Sequence, residues 1–304
     1  MNATNLNPYK LSLLMLSGVC ITGAVLLYFP VVIDDLLVKA NIHEQTAQKI
    51  RFISIAVGLI AFIEAFLIRN SYVSERTKLA IFLFPLLCMI SIFTYRHHFG
   101  LQDPFYFKLV SEDNIVEYVT FISLVVASTI SLFVSKRMMR SGMLIAAAFF
   151  VLLSVFLLVV ALEEISYGQR IFGFDTPEEF VIKNAQKEFN IHNISSISEI
   201  TYVILPNLVL SYCLFGWILV KFTKNTIQSI LTYIPGIDLI FIPWYVTSFF
   251  IPLVVYRTFE INGYPVDVCC FENQLLVWQD QEPAEMFFGL GFLVFTLDRI
   301  VAEA

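Results

Sequence analysis

Charge is scarce in this sequence. Asp, Glu, Lys and Arg together make up 14% of the 304 residues, against about 25% in soluble globular chains, too few to clothe a water-exposed surface. A basic surplus is missing too. The net charge is −6 and the pI is near 5.3, which excludes nucleic acid as a partner, because phosphate binding draws on clustered Lys and Arg. The five cysteines form no C-x-x-C pair, so no zinc ribbon or thioredoxin-type site is encoded. Cys20, Cys88 and Cys213 lie in apolar runs and read as small core residues. Cys269 and Cys270 are neighbours, a placement whose geometry disfavours a bridge between them. Histidine is limited to His43, His97, His98 and His192. No H-E-x-x-H, G-x-S-x-G, P-loop or G-x-G-x-x-G string occurs, which removes the commonest hydrolase and nucleotide-binding signatures. Repeats, Gly/Ser linkers and low-complexity tracts are absent as well. A signal peptide is not expected. One basic residue, Lys10, precedes a first apolar run that outlasts a secretory core, and Tyr28-Phe29-Pro30 stands where a small-residue cleavage site would be.

What is present is apolar. Such residues make up 58% of the chain, 30 of them Phe, and the mean hydropathy is +0.77. A membrane span needs about 20 mainly apolar residues, and eight segments approach that: 11–33, 52–68, 79–95, 115–134, 143–162, 200–220, 234–256 and 286–301. Each is expected to be a helix, because lipid cannot satisfy an open backbone. Continuous runs also exclude the alternating strands of an outer-membrane barrel. The expected fold is an all-α polytopic membrane protein, one domain over 1–304, with about eight transmembrane helices and one interfacial amphipathic helix.

With both termini inside, Lys10, Arg69, Arg76, Lys78, Lys136, Arg137, Arg140, Lys221, Lys224 and Arg299 are cytoplasmic, ten of the 19 Lys and Arg. Three short loops hold eight of those ten, and short flanking loops dominate orientation, so the topology is read as N-in/C-in in a bacterial inner membrane. The long loops 34–51, 96–114, 163–199 and 257–285 then share the other face, together with nearly every carboxylate and all four His.

The densest polar group follows the fifth span: Glu163-Glu164-Ile165-Ser166-Tyr167-Gly168-Gln169-Arg170. If the helix continues, Glu163, Ser166 and Arg170 share a face. Paired carboxylates at a membrane boundary are suited to general acid/base work, and the planar fork of Arg170 to an anionic headgroup. The plainer account is a solvated helix end anchored by Tyr167. Next, Asp175-Thr176-Pro177-Glu178-Glu179 reads as a capped helix start. The helix it opens, 177–189, would lie in the interface with Phe180, Val181 and Phe189 in lipid. It runs into Glu188-Phe189-Asn190-Ile191-His192-Asn193. Before the last span, Asp280-Gln281-Glu282-Pro283-Ala284-Glu285 reads either as a helix cap with Pro283 at its first position or as a further carboxylate, Glu285, for the same site. Glu64 and Asp298 are acids within spans, where transporters keep their ion pathways.

These residues carry a resemblance. The string Glu163–Arg170, followed by Gln186-x-Glu188-x-Asn190-x-His192-Asn193, resembles a family of bacterial multi-pass membrane proteins with an E-E-I-S-(W/Y)-G-Q-R … Q-x-E-x-N-x-H-N motif. The resemblance spans about 30 residues and implies one shared site; the family brings no assigned activity. CAAX-type intramembrane proteases are distantly similar, but their Glu-Glu-x-x-x-Arg spacing and later His are not matched here. Alkaline-ceramidase-like hydrolases need a late His-x-x-x-His that is missing.

The expectation is therefore an enzyme that acts on a lipid or lipid-linked substrate at one membrane face. Glu163, Glu164, Arg170, Glu188, His192 and Glu285 are its candidate catalytic residues. His192, Glu164 and Glu188 are candidate ligands for a divalent metal, carboxylates with one imidazole suiting a hard or borderline cation. The rival is a non-enzymatic transporter or a scaffold subunit of a cell-envelope pathway.

Overall fold

The computed structural model describes residues 75–100, 103–111, 115–184, 187, 189–191, 194, 200–222, 234–261 and 280–302. The expected spans 11–33 and 52–68 lie outside them, as do Glu64, Glu188 and His192. The described residues form helices α1 (Glu75–Phe99), α2 (Pro104–Val110), α3 (Ile115–Arg140), α4 (Leu144–Glu164), α5 (Glu178–Lys183), α6 (Leu205–Phe222), α7 (Ile251–Ile261) and α8 (Gln281–Ala302), with short turns between them. No strand occurs among the described residues; a single isolated bridge joins Asn184 and Ile194.

Among the described residues three helices are long and apolar enough to cross a membrane: Thr77–Phe99 of α1, α3 and α4. They make the chain an integral membrane protein. Leu79, Leu83, Leu87 and Ile90 of α1 and Leu144, Leu152 and Val155 of α4 point outward, uncovered by the described residues. Such stripes are costly in water and normal in an apolar solvent.

Helix α3 is the axis of the fold. Its 26 residues extend about 39 Å at 1.5 Å per residue, and α4 and α8 lie along it. Between apolar solvent and apolar side chains there is little hydrophobic force to join helices, so close packing and interhelical hydrogen bonds do that work. On α4, Ala147, Phe150, Ser154, Leu157 and Ala161 are all buried, a heptad stripe in which every seventh residue is small. Facing them on α3, Ser128 Oγ contacts Ser154 Oγ at 2.9 Å and donates to the Ser154 carbonyl at 2.8 Å. Ser135 Oγ donates to the Ala147 carbonyl at 2.8 Å, and these pairings make α3 and α4 antiparallel. Helix α8 approaches α3 through Gly289, where a Cβ would stand 3.1 Å from the Thr120 carbonyl oxygen. At Gly291 an added Cβ would meet Phe249 and Phe250 at 2.8 Å. The core between α8 and its neighbours is a run of edge-on rings, Phe250–Phe288, Phe250–Phe292 and Phe84–Phe287 among them.

Two elements differ from the sequence reading. The apolar run 234–256 is not one helix: it passes through short 3₁₀ turns at Ile237–Ile240 and Thr247–Phe249, and α-helix begins only at Ile251. Pro235-Gly236 and Pro243 interrupt the run, and Gly236 takes φ +79°, a left-handed conformation that no α-helix continues. The interfacial helix expected over 177–189 is the six-residue α5, with Pro177 at its cap position and no side-chain cap.

The arrangement separates charge by end. Glu117 at the start of α3, Glu163 and Glu164 at the end of α4, and Asp280, Glu282 and Glu285 at the start of α8 share one end. Lys78, Lys136, Arg137, Arg140, Lys221 and Arg299 share the other, where Arg137 Nη1 reaches the Ile300 carbonyl at 3.1 Å.

Candidate functional site

The acidic end is assembled from three parts of the chain. Helix α4 stops at Glu164, and Ser166, Tyr167 and Gly168 follow with φ of 45°, 53° and 79°. Three successive left-handed residues end a right-handed helix, so Glu163, Ser166 and Arg170 do not share the helical face expected of them. Non-glycine residues in this conformation cost on the order of 1–3 kcal/mol each and persist where their surroundings hold them. Here the second half of the motif does so. Glu163 Oε2 accepts from the Ile191 amide at 2.8 Å. Asn190 Nδ2 lies 3.4 Å from Ser166 Oγ. Gln169 Oε1 accepts from the Phe189 amide at 2.9 Å, while its Nε2 donates to Thr176 Oγ1 at 2.6 Å. Asn184, buried, donates through Nδ2 to the Asn190 carbonyl at 2.8 Å and to Asn190 Oδ1 at 2.6 Å.

The two halves of the motif thus fold against each other. That pull on Asn184 is also what ends α5 early. Thr176 serves Gln169 instead of capping α5, and Phe189 turns inward instead of into lipid. Its ring centroid lies 4.7 Å from Phe180, 5.4 Å from Tyr167 and 6.0 Å from Phe174. Val181 does point outward, and the most exposed apolar residues here are Phe172 and Ile182, at 80% and 83%. The Tyr167 hydroxyl donates to Glu163, and burial, then that bond, pushes the phenol well above its ordinary range.

Glu164 is partly buried, and the charges acting on it are Glu285, Glu282, Glu117 and Glu163, in falling order. Glu164 and Glu285, far apart in sequence, therefore share one electrostatic environment. Glu285 also accepts a hydrogen bond from Gln281 Nε2, a side chain of its own helix. Pro283 sits at the third position of α8 and not the first.

A buried ion pair braces the same end. Arg96 Nε lies 3.1 Å from Asp280 Oδ1, their side chains 5% and 6% exposed, and the Tyr106 hydroxyl donates to the same oxygen. Burial first, then Asp280, pushes the Tyr106 phenol far above its ordinary value. Asp103 caps α2 through the Phe105 and Tyr106 amides, each at 3.0 Å, which fixes Tyr106. His97 and His98, beside Arg96, are exposed.

Of the expected site residues, Glu163, Glu164 and Glu285 lie at one end of the helices, with Glu285 and Glu163 among the charges that act on Glu164. The Arg170 backbone lies in the one-turn helix Gln169–Phe172. Glu188 and His192 fall outside the described residues, each next to a residue tied into this network: Phe189 to Gln169, Ile191 to Glu163. Among the described residues no group of three His, Cys, Asp or Glu is arranged to hold a metal ion. Glu117 and Tyr106 are participants that sequence reasoning did not single out; Asp280 and Arg96 stood in strings placed on this face, but not as partners of each other. The signal for Glu117 was there, a lone carboxylate three residues into the apolar run that opens at Ile115. Comparison with protein-family models, with curated proteins and with solved structures finds no match to this chain.

Proposed function

We propose that this is a multi-pass protein of a bacterial inner membrane, and an enzyme whose acidic end acts on a lipid or lipid-linked substrate entering from the bilayer. The observation that carries the reading is the meeting of the folded motif loop and the start of α8 around Glu163, Glu164 and Glu285. In this reading Glu164, among four other carboxylates, is the acid/base group, a role that paired carboxylates at a membrane boundary suit. Glu163 orients the loop, Glu285 acts as its partner, and Arg170 receives an anionic headgroup. Glu188 and His192 complete the site, and with Glu164 they are the ligands if a divalent cation is used. The basic end faces the cytoplasm, as short Lys- and Arg-rich loops favour, which puts both termini inside.

The test is incubation of purified protein, with and without divalent cations, with a mixed lipid extract and lipid-linked saccharides, products being followed by mass spectrometry. Turnover by the wild type that falls at least about a hundredfold in Glu164→Gln, the scale of one acid/base group, is the expected result. Unchanged products from a folded Glu164→Gln protein would overturn it. The scaffold reading draws on a different observation, the outward Phe172 and Ile182. It predicts that making both polar abolishes function while Glu164→Gln is silent.

A further inference from the structure

At the basic end, away from the carboxylates, lies a cavity of about 1020 Å³ between α1, α6, α8 and the segment before α7. Phe82, Phe215, Ile218 and Ile242 make much of its wall, and Trp217 and Trp244 stand at it as well. Phe215 is 58% and Trp244 36% exposed, so the space opens sideways to the surroundings of the helices. Lys78, Lys221 and Arg299 line it against one carboxylate, Asp238. Each cation comes from a different helix.

We propose that this groove binds an anionic phospholipid, its phosphate held by Lys78, Lys221 and Arg299 and an acyl chain lying along Phe82, Phe215, Ile218 and Ile242. Three features favour that occupant. The volume lies at the upper end of the roughly 300–1000 Å³ of small-molecule sites, far more than a free phosphate fills, and its wall is mainly apolar. Two lysines and an arginine stand at the edge of an apolar wall, and basic pockets between helices on the cytoplasmic side, where the topology proposed above puts this end, suit anionic headgroups. The aromatic setting is that of the headgroup level, with Lys221 Nζ 5.4 Å from the Trp217 ring centroid and Lys78 Nζ 5.8 Å from that of Tyr245.

Lys78 and Arg299 have partners of their own. Lys78 pairs at 2.8 Å with Glu75, whose side chain is 78% exposed, a weak competitor in water. Arg299 is fixed in place, Nη2 donating to the Phe241 carbonyl at 2.7 Å and Nη1 lying 3.6 Å from Asp298. Its Nε is buried and makes no hydrogen bond among the described residues. None of this depends on the chemistry proposed for the acidic end.

Two of the three tryptophans, Trp217 and Trp244, line the groove, which supplies the readout. A Trp278→Phe chain is reconstituted in phosphatidylcholine vesicles, with part of the lipid exchanged for dibrominated phosphatidylglycerol or, in parallel, dibrominated phosphatidylcholine. The anionic quencher is expected to act at the lower mole fraction, by about fivefold for each cation engaged. The two curves should draw together in Lys78→Gln/Lys221→Gln, with Lys221→Gln alone between. Added inorganic phosphate should leave the quenching unchanged. Coincident curves in the parent chain would overturn the proposal. Relief by inorganic phosphate would assign the cations to a free anion and overturn it too. Weak quenching by both lipids would mean that another part of the chain, such as 52–68, fills the groove.

Discussion

Glu163 and Ile191 stand 28 residues apart, and the hydrogen bond between them holds the motif loop closed. A bond to a charged acceptor contributes about 1.5–3 kcal/mol, and this one is seconded by Gln169 at Phe189 and Thr176. Glu163→Ala should therefore release the loop, and tryptic cleavage after Lys183 or Lys187 should quicken about tenfold or more, with Glu163→Gln in between. Equal cleavage of all three proteins would show that the bond is dispensable. Tyr106 gives a second prediction. Its phenol is raised by burial and by Asp280 above the ordinary 10.0, so the folded form keeps a proton that the unfolded chain releases. That stabilisation is complete below pH 10 and is lost as pH climbs above it. In detergent, the wild type should lose thermal midpoint above pH 10 more steeply than Tyr106→Phe, which lacks the titrating group; parallel curves would contradict the assignment. The pairing of Arg96, Tyr106 and Asp280 was not legible in the sequence, because Tyr106 and Asp280 are 174 residues apart and only the fold joins them.

Among the elements, α1, α3 and α4 were readable as runs, because length and continuous hydropathy are strong signals and nothing inside them competes. Even Pro85, inside α1, leaves that helix unbroken, as prolines in membrane helices often do. The region 234–256 is apolar too but differently punctuated. Pro235-Gly236 and Pro243 carried more weight there than apolar content. Helix 177–189 was misjudged for another reason: its periodicity was sound, but Asn184 leaves the helix to bond Asn190, a tertiary effect that no local pattern contains. The same holds for Ser166 and Tyr167, whose left-handed backbone is imposed by the returning strand of the loop. Gly168 is the exception, because its φ of +79° is one that favours glycine, while the exposed Phe172 ring 2.8 Å from an added Cβ would have to move aside. Gly168→Ala should destabilise the 163–194 loop by about 1–3 kcal/mol, visible as faster amide exchange there while α3 and α4 keep their protection. Unchanged exchange would mean that the turn is not strained.

At the scale of the molecule, the bundle is a dipole of function. Carboxylates predominate at one end and cations at the other, Arg96 at the first and Glu75, Asp238 and Asp298 at the second being the exceptions, and apolar helices run between them. The hydropathy of the sequence foretold that separation, since span parity alone sends Glu163, Glu164 and Glu285 to one face. What parity could not foretell was their approach within that face, which depends on α8 lying along α3 through Gly289 and on the motif loop folding back over α4. The account rests on that convergence reaching His192, whose neighbour Ile191 is bonded to Glu163. The most direct test is the distance between spin labels at Glu164→Cys and His192→Cys, in a chain whose five native cysteines are replaced, reconstituted in lipid. The account predicts dipolar broadening for a separation of about 12 Å or less, the reach of two side chains that share one ion at roughly 2.0–2.6 Å. Two uncoupled labels would place His192 away from the carboxylates and contradict a single site.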